Sequence, residues 1–190
     1  REFPPTNISS ATWTYTQETS SYFSTTTLSA GSYMDGEYKA WTEKGGPNTP
    51  PSGAFDKQTG ETWDSKIFAS GDMAHEYSRE WADLYLEMPS RIQVESYTLT
   101  PTEYQSGLFN PTSFKLYGSS SAFPSTINVT NMEAIGWELV DEQSESTGDY
   151  DKNTLFSHTL STVTNLYRSF KLRVFRDGVT SNNHIAVGDF

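Results

Sequence analysis

An all-β domain, built as a β-sandwich or jelly roll, is the fold class that the sequence predicts, and three observations predict it. Aromatic residues make up 14% of the chain (5 Trp, 11 Tyr and 11 Phe), within a total hydrophobic content of only 34%. Aromatic and β-branched side chains suit pleated, half-buried surfaces. Short runs of period-two alternation recur roughly every 10–20 residues, split by polar turns. No long 3.6-residue periodicity, internal repeat or heptad is present, so helices are expected to be few and short.

Taken in order, residues 1–33 form a Ser/Thr-rich N-terminal segment. Short strands at Ala11–Thr16 and Ser21–Thr27 would let it join the sandwich; a flexible lead-in is the alternative. The main domain is placed at 34–190. Its first strand is Gly36–Thr42. Residues Glu43–Gly53, with three Pro and three Gly, read as an irregular loop. A turn-rich stretch then ends at Trp63-Asp64-Ser65. In Trp81–Met88, Ala82, Leu84, Leu86 and Met88 share one face, and Trp81, Asp83, Tyr85 and Glu87 share the other, as expected of a strand with one face toward a core. Pro89-Ser90-Arg91 reads as a turn. Ile92–Pro101 carries apolar residues on both faces and is expected to sit centrally. Further strands are expected at Ser113–Gly118, Trp137–Asp141, Thr154–Leu160, Arg168–Phe175 and Ile185–Phe190. Thr102–Pro111, Ser119–Met132 and Asp177–Asn183 are expected to be loops.

The formal net charge of -11 weighs against two kinds of partner. An acidic surface repels phosphate backbones, so nucleic acid is not expected as a ligand, and anionic membranes are disfavoured for the same reason. Such a surface attracts divalent cations, although it also serves simply to keep a protein soluble. Cysteine is absent. That removes disulfides, thiol catalysis and thiolate zinc sites. The three histidines, His75, His158 and His184, are too scattered for a histidine-only metal site. No apolar run approaches the roughly 20 residues that span a bilayer, and no signal peptide is seen. The opening Arg1-Glu2-Phe3-Pro4-Pro5 reads as a processed or excised start. Sequons at Asn7-Ile8-Ser9 and Asn128-Val129-Thr130 are compatible with a secretory route. No Gly-x-Ser-x-Gly elbow, His-Glu-x-x-His or phosphate-binding loop occurs, and no carboxylate stands in a distinctive setting. A non-catalytic protein is expected.

The order of segments resembles the discoidin, or coagulation factor 5/8 type C, family. Ala54-Phe55-Asp56 followed by Thr62-Trp63-Asp64-Ser65 is similar to its Ala-x-Asp, turn, Trp and Ser stretch. Trp81-Ala82-Asp83-Leu84-Tyr85-Leu86 is similar to its Trp-led alternating strand, and Asn110 to Ser119 to its Pro, strand, Gly-Ser segment. Trp137-Glu138-Leu139-Val140, Tyr167 to Val174, and Ile185-Ala186-Val187-Gly188-Asp189-Phe190 resemble its remaining strands. The match runs over about residues 35–190. It implies an eight-stranded jelly roll of galactose-binding-like topology, shared with family 32 carbohydrate-binding modules and with lipid- and protein-binding relatives. Fold alone does not settle the ligand.

The resemblance also implies a structural calcium ion. Calcium takes six to eight oxygens from carboxylates and turn carbonyls. Asp56 matches the family Asp, and Asp189 stands where the family has Glu. Glu61 replaces the family Thr, which either adds a carboxylate or alters the site. The competing reading of Asp56 is a turn cap bonded to backbone N–H groups.

In the sugar-binding relatives the ligand sits on loops at one end of the sandwich. The matching loops offer His75, Tyr77 and Arg79, then Tyr104, Phe109 and Asn110, then Arg176, Asn182, Asn183 and His184. Aromatic platforms and planar polar groups together suit a shallow sugar site. The alternative is that the aromatics plug loop bases and Arg79 pairs with an acid. Trp63, Trp81 and Trp137 fall on framework positions and are expected to pack. The expected function is glycan binding or cell-surface adhesion in an extracellular, cell-surface or virion-surface setting. A structural module contacting protein neighbours in a virion or extracellular filament is the alternative, and lipid binding ranks third for want of a basic cluster.

Overall fold

The structure, a computed structural model, describes residues 12–16, 21–28, 35–43, 54, 63–65, 81–101, 113–144, 156–162, 164–175 and 185–189. These residues form eleven strands and one short helix. In chain order they are β1 (Thr12–Thr16), β2 (Ser21–Leu28), β3 (Gly36–Thr42), β4 (Trp63–Ser65), β5 (Trp81–Ile92), β6 (Ser96–Pro101), β7 (Ser113–Ser119), α1 (Val129–Glu133), β8 (Glu138–Ser144), β9 (Phe156–Thr159), β10 (Tyr167–Phe175) and β11 (Ile185–Asp189). One sheet runs β1-β2-β3-β5-β10-β7-β8, and the other runs β4-β11-β6-β9. Every pairing is antiparallel. The all-β, two-sheet architecture expected from the sequence is the one found.

The core lies between the sheets and follows from strand alternation. Leu84, Leu172 and Leu116 stand side by side across β5, β10 and β7, flanked by the row Ala82, Val174 and Phe114. All six are buried, and Tyr97 and Leu99 of β6 meet them from the smaller sheet. Tyr97 packs edge-on against Phe114 at 6.1 Å. Its hydroxyl donates to Asp141 of β8 at 2.6 Å, which ties the two sheets together. Burial pushes the Asp141 carboxyl up, but this bond and the Gln143 amide outweigh burial and hold it below its ordinary value.

Five expectations need correction. First, β5 does not stop at Met88. It continues through Pro89, Ser90 and Arg91 to Ile92, and the pairing with β10 slips between Tyr167 and Ser169. A proline lacks the N–H that a regular ladder needs, and such irregularities absorb it. Gly36, at φ +141, lies against this bend: a Cβ there would meet Pro89 Cβ at 2.6 Å. Second, β5 is buried on both faces from Ala82 to Met88, not on one. Third, β6 begins only at Ser96. It is interior to its sheet, but Ser96 and Thr98 are exposed, because Ile92 and Val94 belong to the end of β5 and the connection after it. The stretch Trp63–Ser65, read as the end of a turn, forms a strand. The loop expected at 119–132 contains α1, which starts where Asn128 Oδ1 accepts the Asn131 N–H at 2.9 Å.

A close approach to the backbone occurs at Gly118. A Cβ there would meet ring carbons of Tyr167 at 2.5–2.7 Å. Tyr167 is buried, and its hydroxyl donates to Glu138 at 3.1 Å, so the ring has little room to retreat. Gly118→Ala is expected to lower unfolding free energy by about 1–3 kcal/mol. Urea titration checks this, and in a Tyr167→Ala background the same substitution should cost much less.

Candidate functional site

Three chain segments carry the sugar-site residues expected from the sequence: 66–80, 102–112 and 176–184. His75, Tyr77, Arg79, Tyr104, Phe109, Asn110, Arg176, Asn182, Asn183 and His184 lie outside the described residues, as do Asp56 and Glu61. The described strands do fix where these segments are anchored. In the larger sheet Trp81, Phe175 and Ser113 stand in register on adjacent strands. Segment 66–80 therefore ends, 176–184 begins, and 102–112 ends along one rim. In the smaller sheet Ser65 stands opposite Ile185, and Pro101 opposite Val187, which supplies the other ends of the same three segments. A fourth segment, 145–155, starts from the same rim, since Ser144 is opposite Ser113. It is acidic and polar, and sequence reading gave it no role. Strand order is the signal that places it there, and that is not visible in a single sequence.

Beneath the rim, the outer face of the larger sheet is a layer of paired charges and aromatics. Successive rows across it read Lys39, Glu87, Ser169 and Ser119; then Trp41, Tyr85, Lys171 and Tyr117; then Asp83, Arg173, Lys115 and Glu142; then Trp81, Phe175 and Ser113. Segment 119–137, including α1, covers the first two rows. Phe123 and Met132 are buried against Trp41 and Tyr85. The Phe123 N–H donates to Glu87 at 2.8 Å, and the Ser169 hydroxyl donates to the Ser121 carbonyl at 2.7 Å. The expected packing roles hold for two tryptophans. Trp137 lies tilted against Tyr85, with ring centroids 5.7 Å apart, and donates Nε1–H to the Met132 carbonyl. Trp81 carries the Arg173 guanidinium over its ring at 3.9 Å.

Arg173 grips Asp83 with two parallel hydrogen bonds, each 2.7 Å, in the planar geometry that suits guanidinium and carboxylate. Burial works against the Arg173 charge, but the Asp83 bonds outweigh it and push the group up, so it stays protonated. Burial pushes the Tyr85 hydroxyl well up, helped by Asp83 and Glu133. Tyr85 is therefore a neutral donor to both carboxylates. Lys171 is pushed down, chiefly by burial, against the pull of Asp83 and Glu133. It is held by Glu133 and by the faces of Tyr117 and Trp137. These charges satisfy one another, so the layer is a scaffold under the rim. No group of three or more His, Cys, Asp or Glu that could hold a metal occurs among the described residues.

Comparison with solved structures decides the fold. The family 32 module of Clostridium perfringens NanJ, in complex with galactose, superposes with a TM-score of 0.55 at 14% identity, covering 80% of this chain and 90% of that one. The C. perfringens module CpGH89CBM32-5, in complex with GalNAc-β-1,3-galactose, gives 0.55 at 13% identity over 80% and 91%. The fold is that of the family 32 carbohydrate-binding modules. A further module of this kind, CBM32-1 from a C. perfringens family 31 glycoside hydrolase, gives 0.51 at 15% identity over 80% and 90%. At these identities the likeness is one of discoidin-type, galactose-binding-like architecture. No protein-family model matches the sequence, and no curated protein matches it. No described helix is long and apolar enough to cross a membrane.

Removing one partner of the buried Asp83–Arg173 pair leaves the other without compensation. Asp83→Ala is expected to lose about 3 kcal/mol of stability in urea titration, and the double variant D83L/R173M to recover most of it.

Proposed function

We propose that this chain is a non-catalytic glycan-binding module, held together in part by calcium and acting outside the cell or at a cell or virion surface. The observation that carries the reading is the shared rim. Three segments rich in aromatic and planar polar residues are anchored at one end of a sandwich. That sandwich has the fold of modules solved with galactose and GalNAc-β-1,3-galactose. Loops on a rigid sandwich are the usual place for recognition. His75, Arg79, Asn110, Arg176, Asn182 and Asn183 would bond sugar hydroxyls. Tyr77, Tyr104 and Phe109 would offer flat faces to the sugar C–H groups.

A glycan array run on the full chain tests this. Binding to a galactose-type glycan is expected, and His75→Ala or Arg79→Ala should each abolish it. A silent array, together with a large protein contact, would instead favour an assembly role.

Calcium binding is supported by the topology of the smaller sheet. β4 and β11 are antiparallel, so the N-terminal end of β4 lies at the Asp189 end of β11. The segment holding Asp56 and Glu61 leads directly into that end of β4. Three carboxylates are a hard-oxygen donor set suited to calcium, with carbonyls completing the shell. The ion would lock the entry of β4 to the closing strand. Thermal unfolding should shift upward in calcium and downward on adding EDTA. At a calcium concentration 100 times the dissociation constant the stabilisation would be about 2.7 kcal/mol. An unmoved midpoint would remove calcium from the account, and a shift that survives Asp189→Asn would remove Asp189 from its site.

A further inference from the structure

β1 ends the seven-stranded sheet, and no strand pairs with its outer edge among the described residues. Open strand edges invite pairing, and proteins usually guard them with charge, proline, irregularity or short length. The other edges here are guarded. β8 carries Glu138, Asp141 and Glu142, and its pairing with β7 slips between Leu116 and Tyr117. β4 has three residues, one of them Asp64, and β9 has four. β1 has five residues, Thr-Trp-Thr-Tyr-Thr, and β1 and β2 together contain no charged residue and no proline. Both are rich in β-branched and aromatic residues, the types most at home in sheets.

The β1 sequence is nearly its own mirror image. An antiparallel partner strand of the same sequence, centred on Thr14, sets Thr12 opposite Thr16, Trp13 opposite Tyr15, and Thr14 opposite Thr14. Both Trp–Tyr pairs then fall on one sheet face, and cross-strand aromatic pairs of this kind stabilise sheets. A two-fold axis through Thr14 generates such an interface, in which each copy presents the same patch. From these features we infer that β1 is a self-association edge, through which two copies of this chain join their larger sheets into one continuous sheet. Charge supports the choice of edge. Copies of net charge -11 repel each other, and the uncharged hairpin is where they can approach at least cost. Added salt screens that repulsion and should strengthen the dimer.

Sedimentation velocity of the full chain over a dilution series is expected to show a dimer that dissociates on dilution and tightens with salt. Thr14→Lys places two like charges face to face at the axis and should give a folded monomer whose thermal unfolding does not depend on protein concentration. Thr14→Glu should behave the same way, and mixing the two variants should restore the dimer. The chain has no cysteine, which allows a second test. Directly opposed antiparallel residues have Cα atoms about 4.5–5.5 Å apart, within the roughly 4.4–6.8 Å that a disulfide spans. Thr14→Cys should therefore oxidise to a covalent dimer, whereas Thr27→Cys, exposed on β2, should not. A wild-type monomer at the highest soluble concentration, a dimer indifferent to Thr14→Lys, or equal cross-linking of the two cysteine variants would each overturn the inference. None of these readouts involves sugar, so they stand apart from the glycan-binding proposal.

Discussion

The paired strands β5 and β10 are buried on both faces, and most of the architecture follows from that placement. Their inner faces supply the apolar core, and their outer faces carry Asp83, Glu87, Lys171 and Arg173. A charge taken out of water needs a partner close by, because its lost hydration costs several kcal/mol. Register provides the partners. Arg173 stands opposite Asp83. Glu87 is reached by Arg168 at 3.0 Å and by Lys39 at 3.5 Å, and Lys171 meets Glu133 from the covering segment. One strand slipped by a residue would move these charges into the apolar core, so the charge pattern also specifies the register.

Segment 119–137 shows how a covering element can be built without regular structure. It has only one turn of helix, yet it satisfies the sheet beneath it with specific bonds. The Phe123 N–H goes to Glu87, the Ser119 hydroxyl to the Ile135 carbonyl, and the Ser169 hydroxyl to the Ser121 carbonyl. Buried polar groups are affordable when each finds a partner. Met132 and Phe123 fill the spaces between Trp41, Tyr85 and Trp137. On the opposite side of the sheet, Tyr97 and Asp141 link the two layers, so both faces are tied to their covers by polar bonds as well as apolar contact.

Much of this was legible in the amino-acid order. Period-two alternation located β3 and β7 nearly to the residue and found the inner face of β5. It missed the burial of Asp83, Tyr85 and Glu87, because a face carrying acids reads as solvated unless its cationic partners on β10 are known to be adjacent. Pro89 was read as a turn because local sequence does not show that a neighbouring strand can slip around it. β4 was too short to show any period, and α1 is a single turn whose only signal was Asn128 in a polar stretch. Residue chemistry singled out 66–80, 102–112 and 176–184 as candidate sugar-binding segments. The common origin of those segments, and of 145–155, depends on strand order, which a single sequence does not display.

Neighbouring strands in a sheet sit roughly 4.8 Å apart. Trp81, Phe175 and Ser113 on three adjacent strands therefore anchor their segments within about 10 Å of one another. That row is held from below by the Asp83–Arg173 pair, whose guanidinium lies over the Trp81 ring. Variation in length or composition above the row leaves the framework untouched. The molecule thus has a fixed base, and the spacing at which the segments leave it is set by the sheet rather than by their own sequence.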